Sequence, residues 1–343
     1  MAVSGESSGK LLLFGEHVAL YGYPAVGISL PWSTRVTINE DDEAFDWNFP
    51  SLAEDERSRL WELVRLMFEA FPLLRRRGYC LTIDSNIPRG MGFGSSAALC
   101  IALVKAVIMI VKERFFPGAK DLHWLWSLAN RAECLFHCRA SGIDTGLSLL
   151  GQMQGFHFDA AHSAQSGEAP LPSHREVCAR DLVLVVGAVP RDGNTGQHVA
   201  RLAERMENGD SAAHSSIARL GDVSREALSV LEQSGAKDSP MSSADLAASL
   251  GSLADRANSE LESLGLSNDT LRQILTLGRA VGASGGKVSG AGNGGAFYLV
   301  ARDMGVAREV HAALAGYMAR TGLGAQPLVV VRRTKNSTCI EET

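Results

Sequence analysis

Hydrophobic and polar positions follow two different periods along this chain, and together they predict a mixture of helices and strands. Residues 54–71 carry apolar side chains at the three- and four-residue spacing of an amphipathic helix, which Pro72 ends. Strand patterns occupy residues 10–14, 23–38, 79–84, 152–159, 181–189, 296–301 and 327–333. Further helix patterns occupy residues 95–113, 122–138, 197–207, 214–234, 242–263, 268–280 and 304–321. Because both kinds of element occur throughout, an α+β fold is expected rather than a helical bundle.

The chain of 343 residues is long enough for two domains, each with its own core. The polar segment 160–173 is expected to be a surface loop, and it precedes a domain boundary placed near residues 178–182. We therefore expect an N-terminal domain over residues 1–180 and a C-terminal domain over residues 181–343. The pattern leaves open whether the final strand returns to the N-terminal domain.

The amino-acid composition limits the kinds of binding partner to be expected and indicates a cellular compartment. A formal net charge of −5 gives no basic surface for nucleic acid. The longest apolar run, Leu99–Val111, contains Lys105 and is too short to cross a bilayer, so no membrane partner is expected. The six cysteines are scattered, as in reduced cytosolic proteins, and we expect a cytoplasmic location. Cys134, His137 and Cys138 lie close together, but no second pair follows at zinc-finger spacing.

A glycine-rich segment between a predicted strand and a predicted helix carries the strongest chemical signal. Residues 87–98 read IPRGMGFGSSAA, with glycines at alternate positions that permit positive φ and close approach to a ligand. The helix that begins at Ser95 and Ser96 offers free N–H groups, a positive dipole end and two hydroxyls. This arrangement predicts a phosphate-binding loop, against the alternative of a serine-capped turn. Residues 5–10 read GESSGK, one residue short of a Walker loop, and Leu11 stands where Ser or Thr is required.

Three strings, in order from one end of the chain to the other, resemble the motifs of the GHMP kinase superfamily. Residues 88–98 resemble P-x-G-x-G-L-G-S-S-A-A, with Phe93 in place of leucine. Residues 8–22 read SGKLLLFGEHVALYG and resemble the first motif, with Ser8 in place of proline. Residues 287–295 read KVSGAGNGG and resemble the third motif, with Asn293 in place of a glycine; asparagine tolerates the left-handed conformation better than most residues.

The resemblance implies a fold, two ligands and a set of site residues. The expected fold is the GHMP kinase two-domain fold, with a ribosomal protein S5 domain 2-like N-terminal domain, which binds ATP, and a ferredoxin-like C-terminal domain. The implied catalytic residues are Asp144, as the base that accepts the hydroxyl proton, and Lys10 beside it. The implied Mg²⁺ ligands are Ser96 and Glu133. The implied ATP-binding residues are Pro88, Gly90, Gly92, Gly94, Ser95, Ser96 and Asn48. A separate group of site residues, the third-motif loop, consists of Gly290, Gly292 and Gly294. The implied acceptor contacts are Glu16, His17, Asp144 and Thr195.

The spacing of two carboxylates is similar to that of mevalonate kinases within the superfamily. Glu133 precedes Asp144 of Ser141-Gly142-Ile143-Asp144 by eleven residues, as in that group, although Thr145 replaces its common asparagine and Arg139-Ala140 replaces N-P. The resemblance implies phosphorylation of the primary hydroxyl of mevalonate by ATP. Other acceptors, among them phosphomevalonate or a sugar, remain alternatives. A diphosphomevalonate-type decarboxylase and a non-catalytic ligand-binding regulator are two further alternatives. A homodimer is also left open.

Overall fold

The computed structural model describes residues 2–41, 47–48, 54–72, 74, 78–114, 122–137, 140–158, 171–191, 195–323, 326–334 and 337–341. These residues form helices and strands in mixed order, which confirms the predicted α+β class. The chain groups into two compact units. The first unit comprises residues 1–10, 32–87 and 94–151, and the second comprises residues 11–31, 88–93 and 152–343. The domain boundary near residue 180 stays a prediction, because the units interleave along the chain.

The described residues of the first unit include four α-helices and part of a mixed β-sheet. Its strands are the start of β1 (Ala2–Phe14), most of β2 (Ala25–Asp41), β3 (Trp47–Asn48) and β4 (Gly78–Ser85). β4 pairs antiparallel with β2, from Thr34 opposite Ser85 to Asp41 opposite Gly78, and parallel with β3. The helices are α1 (Glu54–Ala70), α2 (Ser95–Arg114), α3 (Leu122–Glu133) and α4 (Ile143–Leu150).

The core of the first unit forms where α2 packs. Almost every residue of α2 from Ala97 to Val107 is buried, so the helix is apolar around its whole circumference. The residues of the same core cluster include Val36, Ile38, Leu63, Val64, Met67 and Leu81. This burial fixes the position of the first turn of α2, where Ser95 and Ser96 lie.

The described residues of the second unit include a five-stranded antiparallel sheet and five α-helices. The strands of this sheet run in the order β11 (Thr338–Glu341), β10 (Leu328–Arg333), β7 (Leu182–Val189), β9 (Gly295–Ala301) and β8 (Gly285–Val288). The helices are α5 (Thr195–Glu207), α6 (Ser211–Gly235), α7 (Ser243–Ser263), α8 (Asp269–Val281) and α9 (Met304–Thr321). β5 (Met153–His157) pairs with the first residues of β2 and with β6 (Ser173–Glu176).

Short polar side chains begin several helices of the second unit, as the sequence rules for helix starts require. Asp210, Asn268 and Asp303 each accept hydrogen bonds from backbone N–H groups of the first turn that follows. Ser242 forms a capping box with Asp245. The backbone N–H groups at these helix starts therefore find partners in the neighbouring sequence. For this reason the helix starts predicted from the sequence fall within three residues of those observed.

The structure differs from the predicted elements in several places. The predicted helix 122–138 ends at Glu133, where turns follow, and α4, β3, β6, β8 and β11 were not predicted. Of the predicted loop 160–173, residues 160–170 lie outside the described residues, and Ser173 begins β6. The predicted strand 327–333 corresponds to β10, which pairs with β7 and with β11, the strand that follows it in the chain. Whether this part of the chain returns to the predicted N-terminal domain stays open. Within the described ranges, no helix is both long and apolar enough to cross a membrane.

Candidate active site

The glycine-rich loop between β4 and α2 adopts the conformation that its sequence predicts. Gly90, Gly92 and Gly94 have φ of 72°, 93° and 79°, a left-handed region that glycine occupies at little cost. A Cβ on Gly94 would lie 2.6 Å from Cγ of Lys10, whereas a Cβ on Gly90 would meet nothing within 4 Å. Gly94 is therefore required both for its backbone conformation and for the space that the Lys10 side chain fills.

Lys10 and Asp144 form an ion pair within the first unit. The Lys10 Nζ lies 3.0 Å from Oδ2 of Asp144, and the side chains are 4% and 41% exposed, respectively. β1 supplies Lys10, and the first turn of α4 supplies Asp144. Gly142, at φ 84°, precedes this helix as its N-cap, so Asp144 is not the cap. The positive end of the α4 dipole also favours the charged carboxylate.

A second carboxylate, Glu133, is buried at the end of α3 and meets the first turns of α2. Ser96 Oγ donates to its Oε1 at 2.8 Å, and Cys100 Sγ donates to its Oε2 at 3.6 Å. His137 Nε2 lies 3.3 Å from the same Oε1 and 3.3 Å from Ser96 Oγ. The structure thus brings together the two residues implied as Mg²⁺ ligands, and it adds Cys100 and His137 to them.

Burial governs the charge state of Glu133. Because Glu133 is removed from water, its pKa rises to about 8, although the Ser96 hydrogen bond partly opposes the rise and the nearby Asp144 charge adds to it. A buried carboxylate of raised pKa, beside a hydroxyl and a second carboxylate, is a place where a small dication would offset the cost of burial. The residues present therefore fit Mg²⁺, even though the described residues contain no group of three or more His, Cys, Asp and Glu side chains that could hold a metal.

Within the second unit, the turn at Gly15-Glu16-His17 meets the third glycine-rich segment. Glu16 accepts from the Lys287 ammonium, and both side chains are buried. The Lys287 Nζ also lies 5.8 Å and 5.6 Å from the ring centroids of Phe14 and Tyr298. Burial lowers the pKa of Lys287, and the Glu16 charge partly opposes that shift. The first and third motifs, distant in sequence, are therefore joined by a buried ion pair.

His17 occupies a left-handed conformation, at φ 62°, and its ring is held by the same segment. Burial lowers the pKa of His17 to about 4, while a hydrogen bond to the backbone of Ala291 partly opposes the shift. The imidazole is therefore neutral at neutral pH. No partner for its buried Nε2 is found among the residues that the structure describes.

The third glycine-rich segment has the backbone conformation that its sequence predicts. Gly290, Gly292 and Gly294 have φ of 87°, 90° and 103°, and Asn293 has φ 54°. Asn293 thus takes the left-handed conformation at a position where the third GHMP kinase motif has glycine. Ser289 Oγ donates to the Leu12 carbonyl at 2.7 Å, which fixes the segment to β1.

Two of the residues implied by the resemblance have side chains outside the described part of the structure. Asn48 belongs to β3, where its backbone pairs with Cys80, and Thr195 begins α5. Their roles stay predictions. Cys100 and His137 were missed by the sequence reasoning. The signal for both is helical spacing, since Cys100 follows Ser96 and His137 follows Glu133 by four residues.

Comparison with known proteins identifies the family of this chain. The family model described as GHMP kinases N terminal domain matches residues 58–152, and the model described as GHMP kinases C terminal matches residues 244–320. The chain belongs to the GHMP kinases, and it is an enzyme that phosphorylates a hydroxyl group.

Individual proteins of that family are also similar to this chain. The mevalonate kinase of Thermococcus gammatolerans is 28% identical over 325 residues, which cover 88% of this chain and 90% of the relative. A crystal structure of the L. major mevalonate kinase in complex with R-mevalonate matches at a TM-score of 0.74 and 18% identity, over 95% of each chain. The Streptococcus pneumoniae phosphomevalonate kinase, in complex with phosphomevalonate and AMPPNP, matches at 0.71 and 18%, over 96% of this chain and 99% of that one. At such identities the two structures share the fold with this chain, and the fold does not choose between the acceptors.

Proposed function

We propose that this protein is a mevalonate kinase, which transfers the γ-phosphoryl group of ATP to the primary hydroxyl of mevalonate and releases 5-phosphomevalonate and ADP. The observation that carries the proposal is the Lys10–Asp144 ion pair, with Nζ and Oδ2 3.0 Å apart. Relatives that match nine-tenths of the chain are named mevalonate kinases, which supports this choice of acceptor.

In the proposed reaction, Asp144 accepts the hydroxyl proton as the new oxygen–phosphorus bond forms and the bond from the γ-phosphorus to ADP breaks. Its 41% exposure leaves the carboxylate accessible to an acceptor, whereas the buried Lys10 is fixed beside it. The Lys10 ammonium stabilises the negative charge that develops on the attacking oxygen. No covalent intermediate is needed, because positioning and electrostatic stabilisation suffice for this class of transfer.

We assign the nucleotide to the glycine-rich loop and the first turn of α2. The residues proposed to bind it are Pro88, Gly90, Gly92, Gly94, Ser95, Ser96 and Asn48. Ser96 and Glu133 are proposed to hold Mg²⁺, which when bound would neutralise charge on the transferred phosphates. The buried Glu133 carboxylate and the 2.8 Å Ser96 hydrogen bond support this assignment.

The acceptor is proposed to lie against Asp144, Glu16, His17 and Thr195. Nε2 of His17 has no partner among the described residues, so we assign the hydrogen bond to the Ala291 backbone to Nδ1. The neutral ring then carries its lone pair on Nε2, which is proposed to accept a hydrogen bond from the acceptor. A location in the cytoplasm, the absence of nucleic-acid and membrane partners, and a homodimeric state stay predictions from the sequence.

The test is ADP release with Mg-ATP, in separate reactions with mevalonate, phosphomevalonate, diphosphomevalonate, galactose and homoserine. Turnover on mevalonate alone, with one phosphate added at its primary hydroxyl, is the expected result. Turnover on another acceptor would replace the substrate and keep the roles of Lys10 and Asp144. Release of CO₂ from diphosphomevalonate would identify a decarboxylase. ATP binding without turnover on any acceptor would contradict the proposal and favour the non-catalytic regulator.

A further inference from the structure

Asn293 carries a buried amide that lacks a hydrogen-bond partner for its Nδ2 within the described residues. The residue is 7% exposed, so it is more than nine-tenths buried. A buried amide N–H that makes no hydrogen bond destabilises a folded protein, because it has lost its hydrogen bonds to water. Glycine would fit the backbone at φ 54° without that cost. The Asn293 amide is therefore a hydrogen-bond donor that a ligand could use.

A second buried polar atom without a partner belongs to the same part of the second unit. His17 Nε2 has none among the described residues, and the ring of His17 is held by the backbone of Ala291. Ala291 lies two residues before Asn293, so their Cα atoms are at most about 7 Å apart. The two atoms have opposite hydrogen-bonding roles, because Nε2 can accept from a hydroxyl and Nδ2 can donate to an oxygen. A ligand that carries both a hydroxyl and an acceptor oxygen would suit the pair.

The surrounding contacts hold both groups in place. The Asn293 backbone N–H donates to the Leu266 carbonyl at 3.0 Å, and Ser289 Oγ donates to the Leu12 carbonyl at 2.7 Å. The buried Glu16–Lys287 ion pair joins the residue before His17 to β8. These contacts fix the backbone that carries both residues. His17 Nε2 and Asn293 Nδ2 are two buried polar atoms of this region for which the described residues supply no partner.

We propose that Asn293 is a specificity-determining residue of the acceptor site, whose Nδ2 donates to the carboxylate of a hydroxy acid while His17 Nε2 accepts from a hydroxyl of the same molecule. The inference rests on the proposed function, because mevalonate carries both a carboxylate and hydroxyl groups. It assigns to the third glycine-rich segment a role in recognising the acceptor.

The experiment measures steady-state kinetics of wild type, Asn293→Gly and Asn293→Asp with mevalonate and ATP varied separately. Asn293→Gly removes the amide at a backbone conformation that glycine tolerates, and the KM for mevalonate should rise about tenfold or more. The kcat and the KM for ATP should stay within about threefold, since the hydrogen bond is made to the acceptor in both ground and transition states. Asn293→Asp places a carboxylate against the acid, so the KM should rise further.

The control is Asn268→Gly, which alters the N-cap of α8 near the same segment. It should lower the stability slightly and leave the KM for mevalonate unchanged, because glycine is tolerated at an N-cap. An unchanged KM in Asn293→Gly would overturn the inference, and so would a parallel rise in both KM values, which would indicate a structural role. A near-normal KM in Asn293→Asp would overturn the carboxylate as the partner. If wild type fails on mevalonate, the proposed function falls first, and this inference falls with it.

Discussion

The Lys10 Nζ lies 3.0 Å from Oδ2 of Asp144, yet the lysine side chain is 4% exposed and the aspartate side chain is 41% exposed. The cation is therefore fixed by its surroundings, while the carboxylate keeps a face open to an acceptor. A purely structural ion pair would gain nothing from this asymmetry, whereas a base that must receive a proton requires it.

Replacement of Asp144, the proposed base, should slow phosphoryl transfer without weakening the binding of ATP. Asp144→Asn keeps the shape of the side chain and removes its capacity to accept a proton, so kcat should fall by at least about 100-fold. ATP binding, measured by calorimetry, should stay within about threefold. Asp181→Asn, which alters an aspartate paired with the exposed Arg332, is the control. Near-normal turnover in Asp144→Asn would contradict the role of Asp144.

Lys10→Met should lower kcat through loss of the cation beside the attacking oxygen. Removal of one such electrostatic contact lowers rates by about 10²–10³-fold in comparable sites. Lys105→Met removes another lysine of the same unit, one that donates to the Glu6 carbonyl, and it should leave kcat near the wild-type value. Equal losses in the two variants would show that the effect of Lys10 is on folding.

Two glycines of the same loop should respond differently to alanine. Gly90→Ala and Gly94→Ala both place a side chain at positive φ, which costs roughly 1–2 kcal/mol. Only at Gly94 would the new Cβ lie 2.6 Å from Cγ of Lys10, so overpacking adds about 1–3 kcal/mol and displaces the ammonium. Urea unfolding should rank Gly94→Ala as the less stable variant. The opposite order would contradict the packing described here.

Ser96 should be distinguishable from its neighbour by its Mg²⁺ dependence. Loss of a ligand from a site with few protein oxygens should raise the Mg²⁺ concentration for half-maximal rate about tenfold in Ser96→Ala. Ser95→Ala retains the Ser96–Glu133 hydrogen bond and should shift the same value by less than about threefold. Titration of the rate with MgCl₂ at fixed free ATP measures both. Identical curves for wild type and Ser96→Ala would remove Ser96 from the metal site.

The stability of the fold should depend on pH through His17. The pKa of about 4 that His17 has in the folded protein lies below the ordinary histidine pKa of 6.5, so the unfolded chain binds the additional proton between these pH values. The contribution of His17 to the free energy of unfolding is therefore complete above about pH 6.5. It is lost as the pH falls towards 4, and the whole loss amounts to about 3 kcal/mol.

The measurement is urea unfolding of wild type and His17→Asn across this pH range. The charged groups that face His17 are Lys287 and its partner Glu16, and asparagine tolerates the left-handed conformation. The variant should lose part of the pH dependence between pH 4 and 6.5. His214→Asn, which alters an exposed histidine, should keep it. A wild-type slope in His17→Asn would contradict the burial of a neutral His17.

Much of this site could be predicted because its residues lie in strings with strong local rules. Alternating glycines before an apolar helix predict the loop at residues 88–94, and the observed φ values agree. Asp144 was identified by resemblance, yet α4 itself was missed, because its eight residues are too few for a helical period to be recognised.

Other parts depend on contacts that no local pattern contains. Cys100 meets Glu133 only because α2 and α3 pack together, and β8 and β11 are four-residue strands defined by their pairing partners. That Asn293 Nδ2 has no partner among the described residues is likewise a property of the folded chain, since the sequence shows only that asparagine replaces a glycine.

The Glu16–Lys287 ion pair links residues that are 271 positions apart, and this separation has a consequence for synthesis of the chain. During translation, Glu16 leaves the ribosome long before Lys287 exists, so the first motif cannot acquire its buried cation until most of the polypeptide has been made. Contacts of such long range form late, because loop closure must precede the gain from the contact. Nascent chains that end before residue 287 should therefore expose the first motif to chaperones and proteases, and the second unit should become resistant to proteolysis only near release of the full chain.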